Sequence, residues 1–119
     1  QGHKRKLMLC GDIHKYPCDS FVDAMVATNA VRDEKASSIL RINVEVPTLS
    51  VCDMKRLNAT VSMGTVALFQ ESYHRPSFAK VHSAGPKADY DFRITNMDRS
   101  NKGGIDDVGL GVLYGLYDY

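Results

Sequence analysis

The chain has 119 residues, 44% of them hydrophobic and 24% charged, with nine Gly, four Pro and no Trp. That length supports one core, so a single β-rich domain over residues 1–119 is expected. No run of about 18 apolar residues occurs, and no membrane partner is expected. Fifteen Lys and Arg against fourteen Asp and Glu give a net charge of +1, which excludes a domain held on nucleic acid by bulk charge alone. Three Cys are too few for a disulfide scaffold and lack paired metal-knuckle spacing.

Gln1 in place of Met reads as a processed end or a trimmed boundary. Leu7 to Cys10 is a short apolar run stopped by Gly11-Asp12, which predicts a strand and a turn. Tyr16-Pro17 then holds the chain extended. Ser20 to Val31 carries both patterns: Phe21, Val22, Met25 and Val26 share a helical face, whereas Val22, Ala24, Val26, Thr28 and Ala30 alternate. A helix is the narrower choice. Ile39, Leu40, Ile42, Val44 and Val46, stopped by Pro47, predict a strand. Leu57 to Phe69, with Gly64 at its middle, predicts two short strands or one bulged strand. Phe78 to His82 and Tyr90 to Thr95 predict strands joined across Ala84-Gly85-Pro86-Lys87 as a hairpin, with Tyr90, Phe92 and Ile94 on a buried face and Arg93 on a wet one. Asp98 to Asp107 reads as a loop and Val108 to Tyr119 as a final strand, with a helix beginning near Ile105 as the alternative. The predicted fold is therefore mainly β, an antiparallel sheet or sandwich with at most one or two helices.

No constellation carries catalysis on its spacing. Cys10, Asp12, His14 and Cys18 are zinc-ligand types but lack Cys-x-x-Cys pairs, so no metal and no cofactor are expected. A Cys10–Cys18 disulfide and a sugar on Asn58, in the sequon Asn58-Ala59-Thr60, belong only to a secreted form. Cys52, His74 and His82 have no local nucleophile signature. Asp89 and Asp91 would repel each other on one strand face. Lys55, Arg56, Lys80, Tyr90 and Arg93 form a candidate RNA-contacting set, with phosphate contacts and base stacking on a sheet face. Val112, Tyr114, Leu116, Tyr117 and Tyr119 form a candidate interface on an edge strand open to self-association.

Val26 to Pro47, with its run Ile42-Asn43-Val44-Glu45-Val46-Pro47, resembles the central hairpin of RNA-bacteriophage coat proteins. The order from Tyr90 to Tyr119 is similar to that family's last strand and helix. Asp107-Val108-Gly109-Leu110-Gly111 resembles a late strand of a small viral jelly roll. The resemblance implies a non-catalytic, self-assembling coat subunit located in a virion. A secreted, processed binding protein (a toxin or effector, hence extracellular) is the alternative. A small α+β enzyme with a pocket lined by Tyr, His and Asp is the third reading.

Overall fold

The structure, a computed structural model, describes residues 2–12, 18–60 and 62–117. Among these, strands β1 (Arg5–Leu9), β2 (Arg41–Glu45), β3 (Met63–Ala67) and β4 (Val108–Gly109) alternate with helices. Helix α1 (Cys18–Ala30) joins β1 to β2, and α2 (Val51–Asn58) joins β2 to β3. Between β3 and β4 come α3 (Arg75–Val81), a 3-10 turn at Pro86–Ala88, α4 (Tyr90–Ile94) and α5 (Asn96–Lys102).

All strand pairs are parallel and their order is β1-β2-β3-β4. The molecule is thus an α/β fold, not the antiparallel sheet or sandwich the sequence suggested. Parallel neighbours need crossover connections, and here helices supply them. Because every crossover steps in the same direction, the helices gather on one face of the sheet. All strand C-termini then meet at one rim, as in an arc of a βα barrel.

The third crossover is where the chain departs from the expected hairpin. Phe78 to His82 lies in and just after α3, with Pro76 in its first turn. Tyr90 to Thr95 is not a strand but α4, started by the Asp89 side chain, which accepts the Phe92 N–H (2.9 Å). Ala84 to Lys87 leads into the 3-10 turn and α4 rather than closing a hairpin. Asp98 to Lys102 belongs to α5, and the final strand shrinks to Val108–Gly109 plus one bridge between Glu71 and Val112.

Where hydrophobic spacing is clean, the elements follow it. Phe21 and Met25 sit one helical turn apart and bury that face of α1, which settles Ser20 to Ala30 as helix. Met54 and Leu57 do the same for α2. These side chains pack on Ile42, Val44, Val46 and Val66, forming one apolar core with Ile105. Each such fully buried side chain stabilises by about 1.5–3 kcal/mol relative to exposure.

Strand β3 is a single bulged strand, shorter than the Leu57 to Phe69 run expected, because Leu57 and Asn58 close α2. Ile42 pairs with Met63 while Val44 pairs with Val66, so Gly64 and Thr65 together oppose Asn43. The Asn43 Oδ1 repairs the ladder by accepting the Thr65 N–H (3.2 Å). A Cβ at Gly64 would lie 2.3 Å from that oxygen, so a larger residue would displace the Asn43 side chain from this bond.

Candidate active-site rim

At the C-terminal rim the chain leaves β1 through Asp12 and leaves β3 through Phe69, Gln70 and Glu71. Helix α4 sends one side chain between them. Arg93 is 4% exposed. Its Nε and Nη2 donate to the Phe69 carbonyl (3.0 and 2.7 Å), and its Nη1 donates to Asp12 Oδ2 (3.1 Å). The Glu71 carboxylate stands 3.9 Å from Nη2 and accepts from Lys87 Nζ at 3.1 Å. A charge this buried is tolerated only when paired and hydrogen-bonded, and Arg93 meets both conditions.

Glu71 has a left-handed backbone, φ 69°, and its carbonyl accepts the Leu113 N–H (2.7 Å), tying the end of β3 to the chain beyond β4. Gln70 carries a buried Nε2 with no hydrogen-bond partner among the described residues. Three of the five N–H groups a guanidinium offers are engaged at Arg93 by these bonds. The rim therefore combines two acids and two bases with donor capacity left over.

Beside it lies a cleft of about 460 Å³ lined by Glu71, Tyr73, His74, Val112, Leu113 and Tyr117, among others. His74 heads α3, its Nδ1 bonds to Ser77 Oγ (2.9 Å), and its ring stacks on Tyr117 at 3.8 Å. His82 closes α3 and stacks on Phe78 at 4.1 Å. Asp91 pairs with Arg75 (2.6 Å), whose guanidinium lies 4.1 Å over the Tyr90 ring. The Arg75 hydrogen bond holds the Asp91 carboxyl below its ordinary range.

The residues expected to contact RNA do not share a sheet face. Lys55 and Arg56 lie on α2, where Arg56 pairs with Asp19 and Asp53. Lys80 is on α3, and Tyr90 and Arg93 are on α4, with Arg93 buried inward. Of the expected interface set, Val112, Tyr114 and Tyr117 are exposed and Leu116 is half-buried beyond β4, while Tyr119 lies outside the described residues. Asn58 is exposed at the end of α2 and donates to the Gly104 carbonyl (3.1 Å). Cys10 follows β1 half-buried, and Cys18 opens α1 with its Sγ 3.8 Å from the Asp53 carbonyl. Burial, then the Asp53 charge, pushes the Cys18 thiol up. His14 lies outside the described residues. In the sequence Asp12 reads as a turn residue and a member of the cysteine cluster, Lys87 as part of a hairpin connection, and Glu71 and Gln70 carry no motif. Their signal is positional: polar residues just past a strand matter once the strands are known to be parallel.

No protein-family model matches the chain. It is 34% identical to the 2-iminoacetate synthase of Escherichia coli (strain K12) over 89 residues, 75% of this chain and 22% of that protein. It is 38% identical to the 2-iminoacetate synthase of Salmonella typhimurium over 77 residues, 65% of this chain and 20% of that one. It superposes on a crystal structure of HydG, a maturase of the [FeFe]-hydrogenase, with a TM-score of 0.92 at 45% identity, covering 99% of this chain and 26% of that one. The FeFe-hydrogenase maturase HydG from Carboxydothermus hydrogenoformans gives a TM-score of 0.80 at 34% identity, covering 98% and 26%. The chain thus spans about a quarter of the length of these proteins. Similarity to a synthase and a maturase overturns the self-assembling coat subunit, and with it the capsid resemblance and the virion and extracellular placements.

Proposed function

We propose that the chain is a four-strand βα segment of an enzyme of the HydG maturase kind, and that its rim forms one wall of the active site. The observation that carries this reading is the buried Arg93 joined to Asp12 and Glu71 at the shared C-terminal end of parallel strands. That end is where βα barrels place their chemistry. The superposition on HydG at 45% identity supports the choice of enzyme.

The chemistry of the site fits a small zwitterion. 2-Iminoacetate, the product in the relatives' name, bears a carboxylate beside an imine carbon, and an α-amino acid is the natural class of precursor. Spare donors on Arg93 and Gln70 suit a carboxylate, while the Glu71 and Asp12 carboxylates suit an ammonium or iminium N–H. The open flanks of the segment agree with a larger enzyme. Leu7 and Leu9 stand 51% and 68% exposed on the sheet face away from the helices, and Val108, Leu110 and Val112 are also exposed.

The test is a transplant of this chain into the matching quarter of Carboxydothermus HydG, read out as hydrogenase activation. A working chimera that loses activity on Arg93→Gln supports the proposal. A folded but inactive chimera sinks it. The second reading, a 2-iminoacetate synthase, is favoured by the matches to the two synthases. The equivalent chimera in the Escherichia coli enzyme, assayed for 2-iminoacetate, decides between them.

A further inference from the structure

The β2–α2 connection, Val46 to Ser50, sits at the same rim and is anchored from an unexpected direction. Its α2 end is held locally: Ser50 caps the helix by accepting the Asp53 N–H (3.1 Å) and donates to Asp53 Oδ2 (2.7 Å). Its middle is held by a different crossover. The Leu49 N–H donates to Asn96 Oδ1 (3.3 Å), and Arg99 Nε donates to the Leu49 carbonyl (2.7 Å). Two side chains of α5 therefore satisfy both polar groups of one loop residue, as a neighbouring strand would.

Both side chains are themselves constrained. Asn96 is 1% exposed. The Arg99 guanidinium stacks 3.7 Å over the Phe92 ring, donates through Nη1 to Thr95 Oγ1 (2.7 Å) and through Nη2 to the Phe92 carbonyl, and reaches Asn96 Oδ1 at 3.4 Å. A planar donor held at this many points cannot drift, so the Leu49 carbonyl it grips cannot either. Arg93, one helical turn before Asn96, grips the ends of β1 and β3. The α4–α5 pair thus registers three of the four strand ends to one another.

We propose that Asn96 and Arg99 are positioning residues of the active site: they clamp the Leu49 peptide and so hold the β2 side of the rim in register with Asp12 and Glu71. This rests on the reading of the rim as an active-site wall. Neither residue touches the substrate; each acts through the loop.

The clamp is tested by hydrogen exchange on the full chain and by kinetics in the HydG chimera, using Asn96→Ala, Arg99→Ala and the conservative Arg99→Lys. With the clamp broken, the Leu49 amide should exchange about tenfold faster while the α1 and α2 amides keep their protection. In the chimera, KM should rise several-fold with kcat nearly unchanged, and Arg99→Lys should recover part of that rise. Unchanged Leu49 exchange in Asn96→Ala overturns the clamp. Uniformly faster exchange, with activity lost only in proportion to folded protein, overturns the positioning role and leaves a structural one. A chimera inactive with the unaltered segment defeats the active-site reading instead, and Leu49 exchange then still decides the clamp.

Discussion

The helices on this sheet bury two different kinds of surface. Helices α1 and α2 bury Phe21, Met25, Met54 and Leu57, an apolar seam of interchangeable character. The α4–α5 pair buries Arg93, Asn96 and Ser100, with Gly103 on the same helical face. Both surfaces are packed, but only the second depends on particular partners. An apolar seam tolerates any side chains of suitable volume, whereas each member of a buried polar stripe needs its hydrogen bonds in place. The seam holds the segment together, and the stripe sets the relative positions of the strand ends.

That contrast is most exposed to failure at Arg93. Arg93→Met takes the buried cation from Asp12, leaves Glu71 to Lys87 alone, and should cost about 3–5 kcal/mol in urea unfolding of the full chain. Replacing Asp12 and Glu71 by leucine in the same variant should recover most of that stability while leaving the HydG chimera inactive. If Arg93→Met alone is neutral, the stripe is no more demanding than the seam.

Met25→Ala, in the seam, should cost about 2–5 kcal/mol, with Met25→Leu costing under about 1.5 kcal/mol by the same unfolding measurement. Gly103→Ala probes the meeting of the two regions. A Cβ there would fall 2.5 Å from the Met54 Cβ, and a loss of about 1–3 kcal/mol is expected from overpacking, which Met54→Ala cannot relieve because alanine keeps that Cβ.

The smallest effect belongs to an exposed pair. Asp91 titrates below the ordinary carboxylate range because Arg75 hydrogen-bonds it. Its contribution is therefore present above the unfolded-state pKa and lost as pH falls through the lower folded value. Asp91→Asn should slightly flatten the acid limb of the stability–pH curve and lower the curve by a small, constant amount at neutral pH and above.

The same contrast explains what could be read from the residues alone. Strand β1, helix α1, strand β2 and the bulge at Gly64 were legible because apolar spacing and a glycine mark them. Helix α4 was not. Tyr90, Phe92 and Ile94 alternate as a buried strand face would, yet Phe92 and Ile94 are exposed at 38% and 39% and the buried residue is Arg93. Periodicity tracks hydrophobicity, so a helix that buries polar groups inverts the signal. Read as a hairpin, that one crossover turns a parallel sheet antiparallel. Strand ends that share a rim then fall at opposite edges, which places Arg93 on a wet face and leaves Glu71 without a role.

Glu71 itself shows what that rim demands of the backbone. A side-chain-bearing residue at φ 69° occupies a region that costs roughly 1–3 kcal/mol and that glycine enters freely. Glu71→Gly would relax the chain at this point and delete the carboxylate that Lys87 and Arg93 face. The two effects oppose each other: the backbone keeps a strained side chain here because buried Arg93 and Lys87 need the carboxylate that it carries.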